Sequence, residues 1–466
     1  MFRINSISGL RRYTVFAGLL ALALPFVARA QQPVPLPDAP QPHRVLTAQV
    51  QTPPVPGTQQ VPTPAPMPSG QAITLEQALD LAKRNNPTLQ ANQTLILQNK
   101  AQEITANLRP NPVLSWDTQY LPIFSPSLFT DSNYWETQAQ YDVGIGYLFE
   151  RGKKRQHRLD AAKTATAVTE AQVTDAQRTV LASAAQLFIG ALFAKSNLEF
   201  AQTLLDSYKK TVKISEDRFN AGAMSRNDLL KIQLQQLQFE TDVNTAGLAK
   251  TQALASLRQF LGFDSVPADY DIAGNLAYES VPLRLEDVQA RAFANRPDLL
   301  SAQRGVVASE SLVGLAKANG KVDVDVSFDY TRLNQSNLGA FYFSVPLPVF
   351  NKNQGEIART QYALTQSQFQ QKAAEQQVLT DVKNAYEGLR SSEQVVQLYD
   401  KGYLGQATQS LDITRFSYEH GAASLLDFLD AERSYRSTEL SYRQALATYM
   451  TALEQLRQAV GSRDLH

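Results

Sequence analysis

The side chains with the most chemistry available to them are aspartates at two repeated turns. FNAGAMSRNDLL (Phe219 to Leu230) and YEHGAASLLDFL (Tyr418 to Leu429) share Gly, Ser, Asp and Leu at the same spacings, 199 residues apart. Gly222 and Gly421 fall where a helix must stop, a position that favours the left-handed conformation. Three residues later Ser225 and Ser424 are placed to cap a new helix, with Asp228 and Asp427 at the third helical position facing its open amides. The motif therefore spells helix, tight turn, helix, and leaves Asp228 and Asp427 with a capping role and a functional one side by side. Asp430 lies six residues past the cap, one turn from Asp427 on the same face, where capping does not account for it. Other chemistry is excluded. The four His (His43, His157, His420 and His466) are scattered and there is no Cys, so no zinc or copper ligand spacing exists. No nucleophile motif or phosphate loop is present. The expectation is a protein with no enzymatic activity, no cofactor and no metal site.

These turns sit in a duplicated chain. ITLEQALDLAKRNNPTL (Ile73 to Leu89) returns 210 residues later as LRLEDVQARAFANRPDL (Leu283 to Leu299), with Leu, Glu, Ala, Asn, Pro and Leu in register. Each half carries the same parts in the same order, so the architecture is two copies of one unit: residues 71–280 and 281–461.

Residues 1–30 give the address. Arg3, Arg11 and Arg12 precede an apolar run from Val15 to Val27, which ends in Ala28-Arg29-Ala30, the pattern of a cleaved signal peptide. Its removal takes away four Arg and no acid, so the formal charge falls from 0 to −4, which gives no electrostatic case for nucleic acid. Residues 31–70 hold 12 of the 23 prolines and read as an extended or disordered leader. No stretch of 18 apolar residues follows the signal peptide, which predicts no transmembrane helix.

Four segments alternate with period two. In KVDVDVSFDY, Val322, Val324, Val326, Phe328 and Tyr330 share one face and Asp323, Asp325, Ser327 and Asp329 the other. The expected strands are 113–120 and 136–149 in the first half, joined by Leu121 to Trp135, and 322–330 and 339–348 in the second, joined by Thr331 to Leu338. Their length, terminal aromatics (Trp116, Tyr120, Trp135, Tyr147, Tyr330 and Phe341) and one-sided acids fit a membrane barrel, against a small sheet with one wet face. Four strands cannot close a barrel and lipid tolerates no open edge, so the barrel must be shared between chains. The rest reads as unusually long helix without Pro: 152–219 and 225–260 in the first half, 355–418 and 424–460 in the second, with shorter helices after Asn86-Pro87 and Arg296-Pro297. The fold class is mainly α with a membrane β-hairpin pair.

Signal peptide, duplication, one hairpin per half, long helix pairs and paired G-x-x-S-x-x-D turns together resemble the TolC family of outer-membrane efflux proteins, over the chain from about Gln71 to Val460. The run LFERGKKRQHR (Leu148 to Arg158) is similar to the heavy-metal and cation efflux branch; read by itself, it is either a basic collar that holds lipid phosphate or a solvated helix face. The resemblance implies a homotrimer in the outer membrane of a Gram-negative-type cell: a 12-stranded β-barrel in lipid, continued by an α-helical barrel across the periplasm to an adaptor and an inner-membrane pump. It implies a passive export duct, against an exported coiled-coil scaffold or adhesin without conduction, and it leaves the exported substrate open. It places adaptor docking at the tips, Gly222, Ala223, Ser225, Gly421, Ala422, Ala423 and Ser424. It also implies a periplasmic gate in which Asp427 and Asp430 ring the aperture and Tyr418 with Asp228 holds it shut, while a basic residue that supports this lock in some members falls at Ala423.

Overall fold

The computed structural model describes residues 72–465; the signal peptide (1–30) and Pro-rich leader (31–70) lie outside the described residues. The two copies are plain in the element order. The first runs β1 (Ala72–Ile73), α1 (Leu75–Asn85), α2 (Pro87–Ala106), β2 (Val113–Gln119), α3 (Ser132–Thr137), β3 (Gln140–Phe149), α4 (Lys154–Asn220) and α5 (Arg226–Leu261). The second follows β4 (Asp271–Ile272) with α6 (Leu285–Asn295), α7 (Pro297–Asn319), β5 (Val324–Leu333), β6 (Ser336–Ser344), α8 (Gln354–Leu398), α9 (Leu404–Glu419) and α10 (Leu425–Val460). The repeated Pro opens α2 and α7 at their first positions, where a missing N–H costs nothing.

α4 is continuous over 67 residues, about 100 Å at roughly 1.5 Å per residue. Its counterpart is not. The single helix expected over 355–418 is interrupted by a π-helical turn, Tyr399–Tyr403, in which Gly402 takes φ +136°. Absence of Pro suggested continuity, but it is Gly402, lacking a Cβ, that admits this backbone. One 18-residue stretch of α4 is also apolar enough to cross a membrane, contrary to the sequence expectation. Within α4, Ala184, Ala185, Phe188 and Ala191 are spent in a core shared with α1, α5, β1 and β4.

The four longer strands form one antiparallel sheet in the order β2-β3-β5-β6. Its register sorts the side chains as the alternation predicts: Trp116, Val143 and Tyr330 stand in one row and Ile145, Phe328 and Phe341 in another. That face is bare, with Trp116 75% and Phe341 70% exposed. The other face is polar, and Asp142 accepts from Gln140 at 2.7 Å and from Thr331. A Cβ at Gly144 would lie 1.6 Å from Asp329 Oδ1 and 2.7 Å from Ser115 Oγ, so any larger residue there must displace both side chains.

Strand ends differ from the expected ones for local reasons. Asp131 caps α3, so β3 starts at Gln140 rather than 136. Asn334 and Gln335 both adopt positive φ (51° and 60°), closing a two-residue hairpin where a loop from Thr331 to Leu338 was expected; β6 accordingly runs earlier, from Ser336. At the strand-to-helix junction Lys154 pairs with Asp323 at 2.6 Å and Arg158 with Glu150. Two cations of the basic run are therefore engaged by acids of the same chain, which leaves fewer to form a basic collar.

Candidate functional site

Both tips are built by the same local chemistry. After α4, the N–H of Ala223 donates to the Arg218 carbonyl at 2.9 Å and that of Gly222 to Phe219 at 3.0 Å, with Gly222 at φ +68°. After α9, Ala422 donates to Ser417 at 2.7 Å and Gly421 to Tyr418 at 3.1 Å, with Gly421 at φ +78°. These are paired Schellman motifs. Ser225 then accepts from the Asp228 amide at 3.1 Å and Ser424 from the Asp427 amide at 3.2 Å. At the second tip the box is reciprocal, since the Ser424 amide donates to Asp427 Oδ2 at 3.1 Å. A Cβ at Gly222 would meet nothing within 4 Å, and one at Gly421 only Arg218 Nη2 at 3.8 Å. Ala223, Ser225, Ala422 and Ser424 are exposed and Ala423 is half-buried, so each tip presents small side chains on a fixed backbone.

The candidate gate residues are only partly brought together. Asp427 is exposed and held by the Ser424 hydroxyl and amide, which keep its carboxyl below the usual range. Asp430 is exposed and sits 3.7 Å from Arg433. The Tyr418 to Asp228 hydrogen bond is absent among the described residues. Tyr418 is buried and stacked on Phe428 at 5.2 Å and 9°, with its hydroxyl unpartnered. Asp228 is occupied by the Ser225 hydroxyl at 2.8 Å and Lys231 at 3.4 Å.

The basic partner comes instead from Arg218, which the sequence reading did not single out. Its Nη1 donates to the Tyr418 carbonyl at 2.9 Å and its guanidinium lies 5.5 Å from the Tyr418 ring centroid, so the last turn of α4 clamps the last turn of α9. A signal was available: the repeat places Arg218 opposite Ser417, a turn-adjacent position where the two copies differ in charge. Among the described residues no His, Cys, Asp and Glu group could hold a metal ion.

Two long helical hairpins ending in small-residue tips, carried on a sheet with a bare apolar face and unpaired edges, define a membrane-inserted channel protein. The chain belongs to the outer membrane efflux protein family, whose model matches residues 78–263 and 289–462. It is an outer-membrane efflux channel extending into the periplasm, and the scaffold or adhesin reading falls away. Cobalt-zinc-cadmium resistance protein CzcC of Cupriavidus metallidurans is 24% identical over 400 residues, 85% of this chain and 92% of that protein. Among solved structures, CusC matches with a TM-score of 0.68 at 18% identity over 83% of this chain and 92% of its own. The Campylobacter jejuni CmeC outer membrane channel matches at 0.68 and 16% identity, over 84% and 86%.

Proposed function

We propose that three copies of this chain close a 12-stranded barrel and a continuous helical conduit, through which an inner-membrane pump, coupled by a periplasmic adaptor at the tips, exports metal cations. The observation that carries the assembly is the four-stranded sheet with β2 and β6 as free edges and an exposed apolar face. In hydrocarbon each unsatisfied backbone group costs several kcal/mol, so the edges must be paired by other chains. Eight strands from two copies are the near competitor, and 12 from three follow from the resemblance. Light scattering of the detergent-extracted protein, corrected for bound detergent, is expected to give the mass of three chains; a well-folded monomer overturns the reading.

The cation assignment is supported by the likeness to the cobalt-zinc-cadmium resistance protein CzcC and the cation efflux system protein CusC. The absence of a metal-holding group among the described residues is compatible with a duct that leaves selection to its partners. Expression with its pump and adaptor in a strain lacking its own channel is expected to raise tolerance to cobalt, zinc or cadmium. Tolerance gained only toward organic drugs would refute the cation assignment while leaving the channel standing.

A further inference from the structure

α10 packs against both α9 and α4, and in that seam lies a carboxyl with no partner. Glu432 is 6% exposed, and among the described residues no hydrogen bond or ion pair to it is formed. It stands in a core of Tyr208, Phe239, Leu411, Tyr418 and Phe428. The groups facing it come from every neighbouring element. From α4 there is Tyr208, whose phenol is pushed above its ordinary value by burial and then by the charges of Glu432 and Tyr418. From α9 there is Arg415, and from α10 itself Arg436. Neither arginine reaches Glu432 with a hydrogen bond: Arg436 is committed to Asp242 of α5 at 2.6 Å, and Arg415 has Asp412 at 3.9 Å. The hydroxyls of Tyr208 and Tyr418 and the Nε of Arg415 are buried without partners.

Three buried polar atoms left unpartnered beside a carboxyl that makes no hydrogen bond are unusual, because an orphaned buried donor or acceptor costs its full desolvation penalty. A neutral carboxylic acid is tolerable in such a place. A carboxylate there demands water. We infer that Glu432 is a proton-controlled wedge: protonated, it lets the α9–α10 hairpin pack on α4, and ionised, it loosens that hairpin and favours opening at the tips. The seam part of this inference stands on the geometry alone; the opening part rests on the channel reading above.

The sign follows from linkage. Burial pushes Glu432 up from 4.5 to about 7, the nearby positive charges of Arg415 and Arg436 countering only in part. A hairpin that swings out returns it to water and its ordinary value. Packing is therefore most stable below about pH 4.5, loses stability as pH rises toward about 7, and is at its weakest above.

Hydrogen exchange in α9, corrected for the intrinsic pH dependence and measured on the full detergent-extracted protein, reads the seam directly. Protection is expected to fall at least tenfold from pH 5 to 7 and then level off. Glu432→Gln is expected to flatten that step, and Glu432→Met, apolar and of similar length, to flatten it too should the glutamine variant fail to assemble. Asp427, Asp430 and His420 are retained in both variants, so their contribution cancels in the comparison. Wild-type protection that ignores pH, or a step that survives in either variant, overturns the wedge. Channel conductance is recorded in parallel and should rise over the same interval in wild type alone. Absence of conductance at every pH with the exchange step intact would overturn the channel reading and leave the seam assignment in place.

Discussion

Gly421→Trp is expected to abolish efflux while leaving the assembled channel in the outer membrane. The substitution has two separable effects. Any side chain at φ +78° meets the steric penalty of the left-handed region, about 1–2 kcal/mol, which is small against the packing of the two hairpins. A Cβ at this position faces open space, touching only the end of Arg218 at 3.8 Å. The indole must therefore project outward into the surface proposed for the adaptor, among Gly421, Ala422 and Ala423. Gly421→Asn separates the effects, because Asn tolerates the same conformation with little bulk. Complementation by the Asn variant and none by the Trp variant, at equal amounts of oligomer in outer-membrane fractions, is the expected pair. Full efflux from the Trp variant would remove the tip from the adaptor contact.

What the sequence disclosed was local and periodic. Gly222 with Ser225 and Gly421 with Ser424 were legible because Schellman motifs and N-caps are written within six residues. The sheet faces were legible because Val324, Val326 and Phe328 alternate with Asp325 and Ser327. Its ends were not: Asn334 and Gln335 turn the hairpin without glycine, and a cap by Asp131 converts part of an expected strand into α3. The break near Gly402 was hidden because a lone glycine inside a helical run, unlike a proline, is compatible with continuous helix. The supposed bond from Tyr418 to Asp228 came from resemblance, and here aromatic stacking on Phe428 and the Ser225 cap claim the two residues separately. Arg218 and Glu432 were missed because a charge on a helix is assigned to water by default. Yet Glu432 stands four residues after Phe428 and three before Tyr435, on the core stripe, and that spacing was the available clue.

Asp430→Asn is expected to weaken the channel's cation preference several-fold and its block by multivalent cations with it, leaving assembly untouched. In the proposed trimer this residue supplies three carboxylates around the periplasmic aperture. Two unit charges about 4 Å apart in water interact by roughly 1 kcal/mol, and by more where the pore narrows and the dielectric falls. Removing one such carboxylate from each of three chains thus alters the energy of a passing cation enough to change selectivity by a factor of about five or more. Asp430 is the cleaner probe of the two ring residues. Asp427 completes the reciprocal capping box with Ser424, so its loss also weakens the start of α10 and confounds gating with fraying. Asp430 takes no part in the cap, and its one ion pair, to Arg433 at 3.7 Å, is exposed on both sides; such pairs contribute little to stability. Arg433 brings a positive charge back toward the same ring, so Arg433→Ala should shift selectivity the opposite way, toward cations. Planar-bilayer recordings of reversal potential in a salt gradient measure both. Identical reversal potentials for wild type, Asp430→Asn and Arg433→Ala would place these side chains away from the ion path and leave the aperture to be set by some other part of the tips.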